Sequence, residues 1–188
     1  MSARDSILAR IRHNRPAATA LPDIHAVPFI RYDNQFEAFA TLIRNLGGDA
    51  VQMQPGQSVA SIIAERWPEA GRSVDLTVPN HEEVDDPHAW HDVDVAIVPG
   101  QLAVAENATV WVSHPDNRFR SIYFLTQKLV LVVPRESMVD TMRDAYARID
   151  MAEHGFGSFI SGSSRTADIE QSLVMGAHGA MVALVIFI

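Results

Sequence analysis

The chain has 188 residues, 47% of them hydrophobic, and a formal net charge of −8. This length buries enough surface for one compact domain, and the acidic excess repels nucleic acid and anionic membranes, so we expect neither as a partner. Because the sequence contains no cysteine, it forms no disulfide, and any iron–sulfur cluster would have to be held by another chain.

The N-terminal residues predict a helical arm and a linker. Ile7, Leu8 and Ile11 recur at helical spacing, and the Asn14–Pro28 stretch that follows contains three prolines. We therefore predict one α/β domain over residues 1–188, with residues 1–28 as arm and linker. The charged start lacks the apolar run of a signal peptide, and no apolar segment reaches the roughly 20 residues that span a bilayer, which predicts cytoplasmic residence.

Two apolar stripes predict the next helices, each followed by a short strand. One of these two helices covers Phe36–Leu46 and precedes a strand at Ala50–Met53. The other covers Val59–Trp67 and precedes a strand at Val74–Val78. This alternation of helix and strand is typical of an α/β fold.

Three runs rich in branched residues predict strands in the middle of the chain. They are Val93–Val98, Ala108–Val112 and Leu129–Val133, and we expect them to form the centre of the sheet. The last run is apolar at consecutive positions, which a strand tolerates only when both faces of its sheet are covered. Mainly parallel sheets flanked by helices meet that condition.

The C-terminal third predicts a helix followed by a strand–helix–strand unit. Apolar residues recur at helical spacing from Met138 to Ile149. A strand at Phe159–Ile160, a helix over Arg165–Gly176 and a strand over Val182–Phe187 then make the unit. The whole pattern predicts a three-layer α/β sandwich with a mainly parallel sheet.

A small, hydroxyl-rich turn leads into the last predicted helix. It reads Ser161-Gly162-Ser163-Ser164 and is followed by Arg165. Either of the last two serines could cap the helix, and the free N–H groups of its first turn, with the arginine, suit a phosphate or carboxylate. The alternative is that these residues only stabilise the start of a helix.

Three segments resemble one protein family. Ser161–Gly179 is similar to the C-terminal signature of the LUD-domain family, which includes the lactate-utilization protein C relatives. Arg4–Arg12 is similar to the family's opening helix, and Ala105–Asn107 resembles its central motif. The resemblance implies a NagB/RpiA/CoA-transferase-like fold. It also implies a role beside iron–sulfur partner subunits in the oxidation of L-lactate to pyruvate.

Glu106 is the leading candidate for a catalytic residue. It stands between an apolar stretch and the strand that begins near Thr109, where a carboxylate could face a crevice. Glu106-Asn107-Ala108 is similar to the motif of class I CoA-transferases, whose glutamate attacks a thioester and whose third residue is usually glycine. The alternative is a solvated or ion-paired glutamate in a turn.

Arg120 and His178 complete the predicted site. The guanidinium of Arg120 suits a carboxylate or phosphate, or it pairs with a surface acid. His178 lies between Gly176 and Gly179, just before the last strand. In that position it could serve as an acid–base group or a ligand-binding group, and the alternative is that it only completes a turn. The candidate catalytic residues are thus Glu106 and His178, and the candidate ligand-binding residues are Asn107, Arg120, Ser161, Gly162, Ser163, Ser164, Arg165, Thr166 and Asp168. We expect them at one crevice near the carboxyl ends of the strands.

Neither a metal nor a cofactor is predicted. Residues 81–92 offer histidines and carboxylates in quantity, but without a recognised ligand spacing, so we interpret them as an exposed loop with a short helical turn. The sequence also lacks the glycine-rich phosphate loops and the nucleophile elbow of common enzyme classes.

The sequence leaves three functions open. The first is a component of an iron–sulfur-dependent lactate oxidation system that itself carries no cluster. The second is a CoA- or acyl-transferase-like enzyme that uses Glu106 as nucleophile. The third is a regulatory subunit that binds an organic acid or a phosphate. In each case the expected ligand is a small anion, and the oligomeric state is undetermined.

Overall fold

A parallel five-stranded sheet forms the centre of the fold. The computed structural model describes residues 2–23, 26–82, 84–113, 120–150, 152, 155–166, 174–176 and 178–188. The helices are α1 (Ala3–His13), α2 (Gln35–Asn45), α3 (Val59–Arg66), α4 (Ile122–Leu125) and α5 (Met142–Tyr146). The strands are β1 (Asp49–Gln52), β2 (Ser73–Asp75), β3 (Val95–Pro99), β4 (Leu102–Val104), β5 (Thr109–Val112), β6 (Lys128–Val133), β7 (Met138–Val139), β8 (Ser158–Ile160), β9 (Arg165–Thr166), β10 (Val174–Met175) and β11 (Val182–Phe187).

The parallel sheet has the strand order β1-β11-β6-β3-β2 and is covered on both faces. Leu129 and Leu131 of β6 lie in a buried cluster with Phe39 of α2. Val130, one residue along, lies in another cluster with Ile63 of α3. The consecutive apolar residues are therefore explained by burial on both faces, and the predicted α/β sandwich with a mainly parallel sheet is confirmed.

A second sheet has the order β7-β4-β5-β8. It packs against the same face of the parallel sheet as α2 does. Its inner face contributes Ala103 and Val110 to the shared core. Its outer face carries Leu102 and Trp111, which pack with Ala145 of α5. The alternation of inward and outward side chains along β4 and β5 thus links the central core to a smaller outer one.

This second sheet corrects two predictions. The Ala108–Val112 run forms β5 of the second sheet, so it is not part of the centre of the parallel one. The helix predicted from Met138 instead begins at Met142, because Met138 and Val139 pair with β4 as a strand. The hydroxyl of Thr141 accepts a hydrogen bond from the Asp144 N–H at 3.2 Å and caps the helix there.

The helix predicted over Arg165–Gly176 is wrong at both ends. β9 and β10 pair as an antiparallel ribbon, with Arg165 opposite Met175. Ser164 lies next to the ribbon, and its N–H donates to the Ala180 carbonyl at 2.8 Å while its carbonyl accepts from the Gly176 N–H at 3.0 Å. These pairings fix the backbone in an extended form. Residues 167–173, in the middle of the predicted helix, lie outside the described residues.

The N-terminal segment has one exposed helix and one anchored stretch. α1 is capped by Ser2, whose hydroxyl accepts from the Asp5 N–H at 3.2 Å, and none of its residues is buried. Further along, the Arg31 guanidinium binds Asp140 at 3.0 Å and Asp144 at 2.7 Å. Within the described ranges, no helix has the length and apolar character needed to cross a membrane.

Candidate functional site

Glu106 and Asn107 lie in the tight turn that joins β4 to β5. The Glu106 N–H donates to the Asp140 carbonyl at 3.0 Å, and the Asn107 side-chain oxygen accepts from the Thr109 hydroxyl at 2.8 Å. Ala108 follows with a φ of 51° and is fully buried. Glycine adopts that left-handed conformation at little cost. The turn therefore has a backbone conformation that favours glycine, although alanine occupies the position.

The Ser161–Arg165 segment is held by its side chains against backbone carbonyls. The Ser161 hydroxyl donates to the Asn107 carbonyl at 3.0 Å. The Ser163 hydroxyl donates to the Leu46 carbonyl at 3.3 Å, and the Arg165 guanidinium to the Asn45 carbonyl at 3.4 Å. Asn45 and Leu46 end α2, so Ser163 and Arg165 satisfy carbonyls that a helix end leaves without partners.

Gly162 allows this segment to pass close to α2. Its φ is 65°, and a Cβ at this position would come within 3.1 Å of both the Cβ and the carbonyl oxygen of Leu46. A side chain would therefore meet a strained backbone and a fixed neighbour together. Gly162 has a packing role here, next to the Ser163 hydrogen bond.

A cleft of about 220 Å³ opens beside this segment. Its lining consists of Tyr123, Phe124, Leu129, Ser158–Ser164 and His178–Ala180. The Ser164 hydroxyl accepts a hydrogen bond from the His178 N–H at 3.3 Å, while the His178 side chain is exposed to solvent. The cleft therefore joins hydroxyls and an imidazole with three aromatic side chains, Tyr123, Phe124 and Phe159, none of which the sequence singles out as a site residue. The sequence signals for them are the short apolar runs that form α4 and β8.

The structure brings the two predicted motifs together, but at the opposite end of the sheet from the one expected. Asn107 contacts Ser161, while Ser163 and Ser164 bond to Leu46 and Ala180, which precede β1 and β11. The cleft thus lies near the amino ends of the parallel strands, and the predicted position at their carboxyl ends is wrong. The reason is that this segment follows β8, a strand of the second sheet, to which the rule for loops after parallel strands does not apply.

The remaining predicted residues lie outside the cleft or outside the described part of the chain. The Arg120 guanidinium lies 4.5 Å from the centre of the Phe156 ring. Thr166 belongs to β9, and Asp168 is not among the described residues. Glu106 is half-buried in its turn and does not line the cleft. A larger cleft of about 440 Å³, near Gln52 at the carboxyl end of β1, contains none of the predicted site residues.

Asp140 is a buried charged residue next to the Glu106 turn. Burial would raise the pKa of this carboxyl, but hydrogen bonds from the Gln35 amide at 2.9 Å, the Arg31 guanidinium at 3.0 Å and the Tyr32 N–H at 3.3 Å outweigh it and lower the pKa. Asp140 therefore stays ionised while its backbone carbonyl holds Glu106. Among the described residues, no three histidine or acidic side chains converge in a way that could hold a metal ion.

Comparison with known proteins identifies the family. Residues 37–188 match the family model of the LUD domain. The chain belongs to the LUD-domain family. As a LUD domain it shares its fold with a DUF162-family protein from Deinococcus radiodurans, whose crystal structure aligns with a TM-score of 0.60 and 16% identity over 81% of this chain and 95% of that one.

Curated relatives of this LUD domain are named lactate utilization protein C. The protein from Geobacillus kaustophilus is 29% identical over 69% of this chain and 56% of its own length. Those from Geobacillus thermodenitrificans and Shouchella clausii are 30% and 29% identical over 69% and 74% of this chain. The chain thus covers a little over half of the two Geobacillus proteins, at 56% of each. The LUD match includes the Glu106 turn and the cleft but excludes α1 and the linker.

Proposed function

We propose that this LUD domain acts in lactate utilization by binding a small anionic ligand in the cleft beside Ser164 and His178. The observation that carries the proposal is the cleft itself, which combines a hydroxyl and an exposed imidazole with Tyr123 and Phe124. Pockets for drug-sized ligands have volumes of roughly 300–1,000 Å³. A cleft of about 220 Å³ is better matched to a small organic acid such as lactate or pyruvate, or to phosphate.

In this proposal the chain is the component of an L-lactate oxidation system that carries no cluster. Oxidation of lactate to pyruvate releases two electrons, and a chain without cysteine provides no thiolate to hold an iron–sulfur cluster. Iron–sulfur partner subunits would then accept the electrons. The name of the curated relatives supports the pathway, and the NagB/RpiA/CoA-transferase-like fold and cytoplasmic residence belong to the same proposal.

Thermal unfolding with L-lactate, pyruvate, phosphate or coenzyme A tests the binding role. A ligand present at 100 times its dissociation constant stabilises the protein by about 2.7 kcal/mol, which is readily measured. We expect one small anion to raise the melting temperature, and Ser164→Ala and His178→Asn to reduce that rise. His91→Asn and Ser73→Ala, which lie outside the cleft, are the matched controls. A response of all four variants equal to that of the unmodified protein would contradict the proposed site.

A transferase role for Glu106 is the second candidate, favoured by the Ala108 backbone. A φ of 51° is what glycine would supply in the transferase motif that Glu106-Asn107-Ala108 resembles. In this role the Glu106 carboxylate attacks the acyl carbon of an acyl-CoA, forms an acyl-glutamyl anhydride and releases the CoA thiolate. Intact-protein mass spectrometry after incubation with acyl-CoA should then detect an adduct that Glu106→Gln abolishes. A mass that stays unchanged would exclude this role for the acyl-CoA tested.

A further inference from the structure

The N-terminal helix α1 presents an apolar stripe that the described part of its own chain leaves exposed. Ile7 and Ile11, one turn apart, expose 58% and 61% of their surface, and no residue from Ala3 to His13 is buried. Isolated helices shorter than about 12–15 residues are marginal in water, and α1 has 11. Its capping box with Ser2 helps, but an amphipathic helix of this length gains most of its stability from packing against another surface.

The charge of the arm is opposite to that of the rest of the chain. Residues 1–16 contain Asp5 and four arginines, Arg4, Arg10, Arg12 and Arg15, which gives a net charge of +3. The remaining residues, 17–188, contain 11 basic and 22 acidic residues and so carry −11. A surface that attracts this helix would be acidic and would offer apolar side chains for Ile7 and Ile11.

The α4 surface has both properties. Phe124 and Leu125 of α4 expose 42% and 43% of their surface, and Met181 exposes 49%. The Met181 N–H donates to the Gln127 carbonyl at 2.9 Å, two residues after Leu125, so these side chains belong to one region. We refer to Phe124, Leu125, Met181 and the neighbouring exposed Val182 as the α4 patch.

An acidic segment borders the α4 patch. The turn at Pro87–Trp90 packs against α4, and the Ser121 hydroxyl donates to the Pro87 carbonyl at 3.5 Å. Residues 82–94 around this turn contain six acidic residues and no lysine or arginine. Arg72 pairs with two of these acids and Lys128 with a third, so the segment keeps a net negative charge.

We propose that α1 of one copy of this chain docks on the α4 patch of a second copy. Ile7 and Ile11 pack on the apolar side chains, and the arginines of the arm face the acidic segment. Reciprocal exchange of the two arms gives a closed, two-fold dimer. The 15 residues from Asn14 to Pro28 lie upstream of the stretch that Arg31 and Tyr32 anchor to Asp140. They extend up to about 50 Å at roughly 3.3 Å per residue, which is long enough to reach a neighbour.

Light scattering coupled to size-exclusion chromatography of the full chain tests this proposal. We expect a dimer over a concentration series at low salt that dissociates at high salt, because salt screens the charged rim. The double variant Ile7→Glu/Ile11→Glu and the variant Leu125→Glu should each be monomeric. Leu21→Glu should remain dimeric, because Leu21 is 93% exposed and belongs to neither surface.

Mixing the two monomeric variants separates exchange between copies from other causes of dissociation. A copy with an intact arm and an altered patch should bind a copy with an altered arm and an intact patch, which restores a weaker dimer. Circular dichroism checks that the variants are folded, and Met181→Glu replaces Leu125→Glu if the latter is not. A wild-type chain that stays monomeric, a dimer that survives Ile7→Glu/Ile11→Glu, or folded variants that fail to associate on mixing would each overturn the proposal.

Discussion

The parallel sheet and the Ser161–Arg165 segment are stabilised in different ways. β6 and β11 run side by side, and each buries five consecutive side chains, Leu129–Val133 and Ala183–Phe187, between the layers of the fold. The Ser161–Arg165 segment is fixed by hydrogen bonds to other elements, from side-chain donors on backbone carbonyls and from the backbone of Ser164. The sheet therefore depends on how apolar its residues are, whereas the segment depends on the position of its neighbours.

Replacement of Val185 by aspartate should have the largest effect. Val185 lies fully buried in β11, where an unpaired carboxylate cannot be solvated, and we expect a loss of more than about 4 kcal/mol and insoluble protein. Val182→Asp, in the same strand but 37% exposed, is the matched control and should stay soluble. Equal soluble yields of the two variants would show that burial does not govern this strand.

Gly162→Ala tests the neighbour-dependent segment and should have the next largest effect. The new Cβ meets both a positive φ and Leu46, so we expect a loss of about 2–3 kcal/mol in chemical denaturation. Gly56 has a φ of 86°, but no atom lies within 4 Å of the Cβ that an alanine would add there. Gly56→Ala should therefore lower the free energy of unfolding by only about 1 kcal/mol, from the strained backbone alone. If Gly56→Ala destabilised the protein as much as Gly162→Ala, the contact of residue 162 with Leu46 at the end of α2 would not explain the loss.

Asp140→Asn should give a pH-dependent loss. Because the pKa of Asp140 is lowered by folding, its contribution is fully present above the unfolded-state pKa of about 3.9 and is lost as the pH falls through the folded-state pKa. We therefore expect the variant to be less stable near neutral pH by about 1–3 kcal/mol, and the difference to shrink in acid. Glu136→Gln, on the exposed turn before β7, is the control. A difference independent of pH would argue against an ionised Asp140.

Ala108→Gly should have the smallest effect. Glycine relieves a left-handed backbone, worth about 1–2 kcal/mol, but removes a buried methyl group, worth about 0.8 kcal/mol. We expect the free energy of unfolding to change by less than about 1 kcal/mol, and to rise rather than fall. Ala105→Gly, which removes an equally buried methyl without that relief, should be destabilised. Equal losses in both variants would show that the Ala108 backbone carries no strain.

The sequence predicts those elements whose own residues determine them. The strands around Leu129–Val133 and Val182–Phe187 were correct because burial on both faces leaves a continuous apolar run. β4 and β7 were missed because they have three and two residues and pair with each other across 35 positions of sequence, as Ala103 with Met138. Such pairing leaves no periodic signal in either segment.

The candidate site was predicted only in part, for a related reason. The sequence predicts that the Asn107 turn lies close to Ser161, as the structure shows, but it also predicts that the serines cap a helix, whereas the structure has a strand that begins at Arg165. Serine hydroxyls suit helix starts and the carbonyls of another element equally well, and only the approach of α2 decides between them. The catalytic and ligand-binding roles of these residues stay predictions.

The contacts of Asp140 bear on where this domain starts. The family match begins at Glu37, yet Arg31, Tyr32 and Gln35 all donate to the Asp140 carboxylate. A truncated chain that began at Glu37 would leave that carboxylate with none of these donors, directly behind the Glu106 turn. We therefore expect the stable unit to extend upstream to about Phe29, whose ring lies 4.4 Å from the Arg143 guanidinium. Limited proteolysis should remove α1 and stop before this residue.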